Sequence, residues 1–242
     1  MAVVFPMRPS LSTGMSPSST AILSPPLPTP WPRFASPLKL GVMASGKGSN
    51  LEAIATAIQQ GHLQAQIQVV IYNNPGAGVR TRAAQLGFPT VLLNHRHYPS
   101  REALDRAIVD TLQAHRVDWV IMAGWMRRVT PVLIDAFPRQ ILNIHPSLLP
   151  SFPGVRAVEQ ALAAGVKVSG CTVHQVELVV DSGPIVMQAA VPVWPDDTPE
   201  ILQARIQVQE HRIYPAAIAL AAEAASQPST RPSNGGQLTV DG

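Results

Sequence analysis

The chain has 242 residues, enough for one large domain or two small ones with a substantial buried core. Its net charge of +3 is mild, and Lys and Arg cluster only at Arg127-Arg128, which argues against a nucleic-acid-binding surface. One cysteine, Cys171, excludes an internal disulfide framework and a cysteine-rich metal site. No apolar run reaches the ~18–20 residues of a membrane span, so we expect a soluble protein without membrane partners.

The two ends of the chain differ from its middle in composition. Residues 1–37 contain nine prolines, seven serines and no acid, with Arg8 and Arg33 as the charged residues. This composition predicts a disordered leader, because it offers little apolar surface to offset the entropy of ordering. It is also similar to an organelle transit peptide, with a premature start codon or a bacterial tail as the alternative. We expect a domain at residues 38–225, a flexible tail at 226–242, and a cytoplasmic protein, or a plastid one if the leader is a transit peptide.

Between the ends, apolar runs typical of strands alternate with segments of helical spacing. The continuous apolar runs 119–124 and 141–146 suit strands covered on both faces, and Ser100 and Thr130 are placed as helix N-caps. Such alternation predicts βαβ units and a mostly parallel sheet. The predicted strands are 39–45, 67–74, 90–94, 119–124 and 141–146, and the predicted helices are 49–61, 79–87, 100–116 and 130–137.

The pattern changes from about Val168 onward. Two strand-like runs, 170–180 and 184–193, are separated by a turn-like Asp181-Ser182-Gly183, which favours antiparallel pairing. A long helix over 199–224, interrupted by Pro215, closes the domain. The predicted fold class is therefore α/β, a doubly wound, mostly parallel, Rossmann-like sheet with an antiparallel edge and a long C-terminal helix.

The segment Gly46-Lys47-Gly48-Ser49-Asn50 follows a strand and opens a helix, which is where backbone N–H groups bind anions. It does not match the dinucleotide fingerprint, because Leu51 occupies the third glycine position, and it is not a P-loop. The sequence predicts a monophosphate site here. The alternative is a tight turn that needs glycine only for its backbone conformation.

Asn143 and His145 lie at the end of a predicted strand, on the same side of it, and are followed by prolines at 146, 150 and 153. An amide beside an imidazole suits an oxygen that gains negative charge, since both can donate hydrogen bonds to it. The prolines indicate a rigid, irregular loop. A hydrogen-bonded core histidine is the alternative interpretation of His145.

Asp181 ends the following apolar run, where an Asx turn alone would explain it. If it faces His145, its carboxylate could hold a water for proton transfer. We interpret His174 as structural rather than catalytic, and His95 and His97 as surface-loop residues rather than metal ligands. The absence of a G-x-S-x-G elbow and of H-E-x-x-H points to direct attack of one substrate on another, without a protein nucleophile or a metal.

These residues belong to five segments that occur in the order found in one enzyme family. Together they cover about residues 38–225 and resemble phosphoribosylglycinamide formyltransferases. The resemblance implies transfer of a formyl group from the co-substrate 10-formyltetrahydrofolate to the amine of glycinamide ribonucleotide in purine biosynthesis. The segments are GVMASGKGSNLEAI, AGWMRRVTP, LNIHPSLLPSFPG, GCTVHQVELVVDSGPIVMQAAVPV and QEHRIYPAAI.

The resemblance also implies residue roles. Asn143 would bind the formyl oxygen, His145 would stabilise the oxyanion, and Asp181 would poise His145 and relay a proton through water. Glu210 would contact the ribose or glycinamide part of the nucleotide, whose phosphate agrees with the predicted monophosphate loop. The implied folate-binding residues are Arg101, Trp125, Met126, Arg127, Arg128, Val129, Asn143, Val179, Val180 and Asp181.

Two positions depart from the family pattern: Arg128 stands where many relatives have a small apolar residue, and Ser182 where they have glycine or alanine. Either could alter the folate pocket. Small molecules are the expected partners of a monomer or homodimer. Formyltetrahydrofolate hydrolase and a non-catalytic phosphate-sensing module are the alternative functions, and a methionyl-tRNA formyltransferase would need a further tRNA-binding domain.

Overall fold

The computed structural model describes residues 21–227. The strands are β1 (Ile22–Ser24), β2 (Leu38–Ala44), β3 (Ala65–Tyr72), β4 (Thr90–Leu92), β5 (Trp119–Met122), β6 (Ile141–His145), β7 (Val168–Gln175) and β8 (Ile185–Pro192). The helices are α1 (Ser49–Gln59), α2 (Val79–Gln85), α3 (Arg101–Ala114), α4 (Pro131–Ala136), α5 (Ala157–Ala163) and α6 (Pro199–Ser226), and a 3₁₀ turn covers His95–His97.

The eight strands form one sheet in the order β1-β8-β7-β6-β5-β2-β3-β4. Strands β6, β5, β2, β3 and β4 are parallel, whereas β7, β8 and β1 add an antiparallel edge. The predicted fold class is confirmed. Strands β5 and β2 are neighbours in the sheet. The connection after β2 leads to β3 on one side of this pair, and the connection after β5 leads to β6 on the other side, so the two connections diverge. The crevice at the carboxyl ends of β2 and β5 is therefore the expected ligand site of such a sheet.

Helices cover both faces of the parallel strands, which explains their continuous apolar runs. In β2, Val42 packs against the layer of α1 and α6, and the next residue, Met43, against the layer of α3 and α4. Tyr214 of α6 is fully buried, and its hydroxyl donates to the carbonyl oxygens of Met122 (3.2 Å) and Leu142 (3.0 Å). This side chain attaches α6 to the ends of β5 and β6. Helix α6 continues through Pro215.

The predicted strand over 170–180 is wrong at its C-terminal part, because β7 ends at Gln175 and 176–184 form a loop. Its neighbour β6 begins at Ile141, whose carbonyl accepts the N–H of Val176, so no partner strand remains beyond that point. Helix α5 was not predicted. It is only seven residues long and begins after Arg156 in the left-handed conformation, behind a proline-rich loop.

The prediction of a disordered leader is wrong for residues 21–37, which we call the N-terminal strap. β1 pairs with β8, Trp31 stacks on His62 with ring centroids 5.3 Å apart, and the backbone of Phe34 exchanges two hydrogen bonds with the Gln64 amide (2.8 and 3.0 Å). Leu23, Leu27, Trp31 and Phe34 pack against the α1 and α6 layer. The apolar side chains of the strap therefore pack against a surface formed by residues distant in the chain. Local composition does not reveal this surface. Residues 1–20 and 228–242, including most of the predicted tail, lie outside the described residues.

Within residues 21–227, no helix combines the length and the apolar character needed to cross a membrane.

Candidate active site

The loop between β2 and α1 lies at the crevice where the sheet connections diverge. Gly48 has φ +78°, and a Cβ there would lie 2.7 Å from the side chain of Val79, so glycine is required. A Cβ at Gly46 would meet no atom within 4 Å, which leaves this backbone open to a ligand. The first N–H groups of the 11-residue helix α1 have no acceptor within the helix, so the loop can bind an anion.

Side chains from α6 close the other side of this loop. The amide of Gln207 donates to Ser49 Oγ at 3.0 Å, and Asn50 Nδ2 donates to Glu210 Oε2 at 2.9 Å. Glu210 is 6% exposed, and burial raises the pKa of its carboxyl although the bond from Asn50 acts in the opposite direction. A buried carboxylate in this environment is stabilised by any further hydrogen-bond donor that a ligand supplies.

Asn143, His145, His174 and Asp181 come together from three segments. Asn143 and His145 are on β6, His174 is on the neighbouring β7, and Asp181 is on the loop after β7. Asn143 pairs directly with His174 across the strands, and its Nδ2 lies 3.3 Å from His174 Nε2. The carboxylate of Asp181 contacts both rings, at 3.4 Å from Nδ1 of His145 and 3.6 Å from Nε2 of His174.

Asp181 is held in its position by the backbone. It has φ +54°, and its Oδ2 accepts the N–H of Gly154 at 2.8 Å. Burial favours the neutral carboxyl, but contacts with His174, Gly154 and His145 together outweigh it and lower the pKa of Asp181. Asp181 is therefore a carboxylate at neutral pH, beside two imidazoles.

The proline-rich loop after β6 orients the His145 ring. His145 Nε2 lies 2.9 Å from the carbonyl oxygen of Phe152, and because a carbonyl only accepts, Nε2 carries a proton. Phe152 has φ +55°, and the Ser147 hydroxyl donates to the carbonyl oxygen of Ser151 at 2.6 Å. Thr172 of β7 donates to the Ser147 carbonyl at 2.7 Å and accepts the N–H of Leu149 at 3.0 Å. The loop thus holds its shape through buried bonds to the sheet.

A cavity of about 610 Å³ joins these parts. Its lining includes the loop 46–50 with Glu210, the segment 122–129 between β5 and α4, and the polar side chains of Asn143, His145, His174 and Asp181. The indole Nε1 of Trp125 is buried in this wall and has no hydrogen-bond partner among the described residues. The cavity lining therefore combines an anion-binding loop, a segment with a buried indole donor, and a polar cluster.

The structure brings almost all the sequence-predicted site residues to this cavity. Arg101 and Val179 are the exceptions, since they line an adjacent cavity that shares Arg128, Val129 and Val180 with the first. The residues that line the main cavity and that sequence reasoning did not select include His174, Gly154, Val155, Arg156, Gln203 and Gln207. His174 was interpreted as structural, but the antiparallel pairing of β6 and β7 puts it opposite Asn143.

The His95–His97 turn lies on the surface away from this cavity, and His95 Nδ1 contacts the carbonyl oxygen of Asn73 at 3.0 Å. Among residues 21–227, no group of three or more His, Cys, Asp or Glu side chains is arranged to hold a metal ion.

Comparison with known proteins shows the family of the chain. The family model described as formyl transferase matches residues 38–218. The chain is 41% identical over 180 residues to phosphoribosylglycinamide formyltransferase of Bacillus subtilis, which covers 74% of this chain and 92% of that protein. It is 44% identical over 190 residues to the trifunctional purine biosynthetic protein adenosine-3 of Drosophila pseudoobscura pseudoobscura, which covers 77% of this chain. The matched region spans only 14% of the length of that relative.

Solved structures show the same likeness. Glycinamide ribonucleotide transformylase 1 from Symbiobacterium toebii has a TM-score of 0.77 at 49% identity, over 79% of this chain and 90% of that chain. Phosphoribosylglycinamide formyltransferase from Bacillus halodurans has a TM-score of 0.73 at 43% identity, over 75% and 93% of the two chains. The family match extends over most of the chain and includes the whole cavity, and so the chain belongs to the formyl transferase family.

Proposed function

We propose that the protein transfers the formyl group of 10-formyltetrahydrofolate to the amine of glycinamide ribonucleotide, as a cytoplasmic enzyme of de novo purine biosynthesis. One observation carries the proposal: the cluster of Asn143, His145 and Asp181 lines one cavity together with an anion-binding loop and the segment 122–129. A formyl donor and an acceptor that are bound together in this cavity would meet at this cluster. The names of the relatives in Bacillus subtilis and Haemophilus influenzae support formyl transfer to glycinamide ribonucleotide.

The nucleotide would occupy the end formed by β2, α1 and α6. Its phosphate would accept hydrogen bonds from the backbone of Gly46 to Asn50 and from the Ser49 hydroxyl, and Lys47 supplies a positive charge nearby. Glu210 would accept hydrogen bonds from the ribose or the glycinamide, since its buried carboxylate has Asn50 as its donor. These contacts would direct the amine toward Asn143.

The reduced folate would occupy the end formed by the loop between β5 and α4 and the loop after β7. Backbone groups and the free indole N–H of Trp125 would bind the polar edge of the pterin, and Met126, Val129 and Val180 would cover its faces. The arginines Arg101, Arg127 and Arg128 would attract the carboxylates of the glutamate part. Arg101 and Val179 would act from the adjacent cavity.

The reaction would proceed by direct attack. The amine nitrogen attacks the formyl carbon, the C=O electron pair moves to oxygen, Asn143 donates a hydrogen bond to the oxyanion, and the adjacent His145 ring stabilises the oxyanion electrostatically. The tetrahedral intermediate collapses with cleavage of the bond between the formyl carbon and N10. The amine loses one proton and N10 gains one, and a water held by Asp181 would carry it between them. The carboxylate of Asp181, whose Oδ2 lies 3.4 Å from Nδ1 of His145, would hold the ring in place during this step.

His174 would orient the amide of Asn143. Its Nδ1 lies 2.8 Å from the carbonyl oxygen of Gln175, so Nδ1 carries the proton and neutral Nε2 accepts from Asn143 Nδ2. The second hydrogen of that NH₂ group is then available for the formyl oxygen.

The testing experiment is product formation by the purified protein given 10-formyltetrahydrofolate, with and without glycinamide ribonucleotide. Turnover that requires the nucleotide supports the transferase. Folate cleavage without the nucleotide would point to a hydrolase, and binding of the nucleotide without turnover in either tube would point to a phosphate-sensing protein.

A further inference from the structure

Ser45 connects two segments that line the cavity, the loop 46–50 and the segment 122–129. It follows the last residue of β2 and directly precedes Gly46, at the point where the connections of the sheet diverge. We propose that Ser45 is a positioning residue that couples binding of the nucleotide phosphate to binding of the folate. This inference rests on the function proposed above and adds an energetic link between its two substrate sites.

Two hydrogen bonds form this link, which we call the Ser45 bridge. The N–H of Ser45 donates to the carbonyl oxygen of Gly124 at 3.0 Å, and the N–H of Met126 donates to Ser45 Oγ at 2.9 Å. The first bond continues the parallel pairing of β2 with β5 past the strand ends. The second depends on the side chain, and it joins the phosphate loop to the wall of the folate site.

The bridge acts on segments that have few other attachments. The segment from Met126 to Thr130 has two backbone N–H groups held by side chains: Ser45 accepts the one from Met126, and Asp105 accepts the one from Thr130 at 2.6 Å. Arg127, Arg128 and Val129 lie between these two anchors and line the cavity. A shift of Ser45 with the phosphate loop therefore moves one end of the folate wall, while the other end stays attached to α3.

Exposure to water makes the bridge sensitive to ligands. Ser45 is half-buried and Met126 is 71% exposed, so water competes for the Oγ to N–H bond when the cavity holds no ligand. A ligand that covers either segment excludes this water, and a hydrogen bond in a drier environment is stronger. Each substrate would therefore order the binding surface of the other. By thermodynamic linkage, the nucleotide must strengthen folate binding by the same factor as folate strengthens nucleotide binding.

The coupling can be measured in a complex that does not react. Tetrahydrofolate carries no formyl group, so its Kd can be determined by calorimetry with and without saturating glycinamide ribonucleotide. For the wild type, we expect the nucleotide to tighten tetrahydrofolate binding by about fivefold or more. In Ser45→Ala, each ligand alone should bind nearly as before, whereas the tightening should fall below about twofold, and Ser45→Thr, which keeps a hydroxyl, should restore it.

Ser182→Ala is the matched control. It also removes a hydroxyl beside the folate site, where Ser182 Oγ donates to the carbonyl oxygen of Val179 at 2.9 Å, but this residue has no contact with the phosphate loop. We expect it to change folate affinity and to leave the coupling factor unchanged. Coupling near unity in the wild type, or unchanged coupling in Ser45→Ala, would overturn the inference alone. Failure of the wild type to bind either ligand would overturn the proposed function and this inference with it.

Discussion

The carboxylate of Asp181 links His145 to the loop that orients it. One oxygen, Oδ2, lies 3.4 Å from Nδ1 of His145 and also accepts the N–H of Gly154 at 2.8 Å. The other ring nitrogen of His145 contacts the carbonyl oxygen of Phe152, two residues before Gly154. The imidazole is therefore held from both sides by one connected unit. Phe152 and Asp181 both have positive φ, a conformation unfavourable for residues other than glycine, and such strain is characteristic of functional sites.

Asp181→Asn should lower kcat by about 10²-fold or more, because the neutral amide no longer relays a proton. Asn can still accept the N–H of Gly154, so the fold should remain. The measurement is kcat and substrate Kd at pH 7, with Asp135→Asn, an exposed residue of α4, as the control. Activity of Asp181→Asn near that of Asp135→Asn would contradict the assigned role.

The same carboxylate predicts how stability depends on pH. The folded-state pKa of Asp181 is lowered, so its stabilising contribution is present above its unfolded-state pKa. The contribution is lost as pH falls through the folded-state value, and it is absent below both. The unfolding free energy of the wild type should therefore exceed that of Asp181→Asn at pH 7, with the difference shrinking below pH ~4. Denaturant unfolding at several pH values measures it, and a difference independent of pH would disagree.

His145→Ala should reduce kcat by about 10²–10³-fold, equivalent to ~2.7–4 kcal/mol of transition-state stabilisation, because the oxyanion loses the ring that stabilises it electrostatically. Binding of glycinamide ribonucleotide should change little, since His145 contacts the reacting group rather than the phosphate loop. His97→Ala, in the exposed 3₁₀ turn, is the control. Steady-state kinetics on both variants decides the matter, and turnover like that of the wild type in His145→Ala would return this residue to a structural role.

Glu210→Gln should stabilise the fold at neutral pH while weakening nucleotide binding. Burial raises the folded-state pKa of Glu210, so the folded state binds more protons than the unfolded state in this window, and stability falls as pH rises through the folded-state pKa. The side-chain amide of glutamine carries no charge, so Glu210→Gln removes the free-energy cost of burying an ionised carboxylate. Differential scanning calorimetry should show a Tm higher by about 2–4 °C at pH 7.5, corresponding to ~1 kcal/mol, and no gain near pH 4.

Glu223→Gln, an exposed position on the same helix, provides the comparison for Glu210. It should leave Tm and nucleotide affinity unchanged at both pH values. A lower Tm of Glu210→Gln at pH 7.5 would mean that the ionised carboxylate stabilises the fold.

Asp105→Ala should raise the KM for the folate more than it changes kcat. Asp105 is 1% exposed, and it accepts the N–H of Thr130 at 2.6 Å, at the start of α4. Burial raises its pKa, against the effect of the Thr130 bond. Alanine leaves that buried N–H without an acceptor, which should cost ~1–3 kcal/mol of stability.

Two variants serve as controls for Asp105→Ala. Asp105→Asn keeps an acceptor and should have a smaller effect, and Asp110→Asn, at an exposed position on α3, should have no effect. Equal folate KM values in all three variants would refute the anchoring role.

Removal of residues 1–37 should destabilise the protein without loss of chemistry. The strap buries parts of Leu23, Leu27, Trp31 and Phe34 and pairs with the edge strand β8, away from the cavity. A loss of about 3 kcal/mol or more corresponds to a Tm lower by ~6–12 °C. Removal of residues 1–20 alone is the control, since it keeps the strap. Identical Tm values for the two truncated proteins would show that the strap contributes nothing, and loss of kcat at low temperature would show that it supports the site.

The local sequence pattern was sufficient to predict most strands of the parallel part of the sheet. Alternation of apolar runs with amphipathic segments located β2 to β6 within a few residues, because helix and strand periodicity depends on near neighbours. The local pattern did not predict element ends that are set by strand pairing. The end of β7 at Gln175 depends on where β6 begins, and the strap is ordered only because β8 and Gln64 provide partners distant in the chain.

The sequence by itself determined the family, the fold class and the chemical groups of the site. Gly48, Asn143, His145 and Asp181 each carry a local signal: a glycine at a strand-to-helix turn, an amide and imidazole two residues apart at a strand end, and an acid at a turn. Only the tertiary structure decided that His174 faces Asn143, that Asp181 contacts two rings, and that Ser45 joins the loop 46–50 to the segment 122–129. Those relationships depend on strand register and loop closure, and the pairs Asn143–His174 and Ser45–Met126 are 31 and 81 positions apart, which no local pattern encodes.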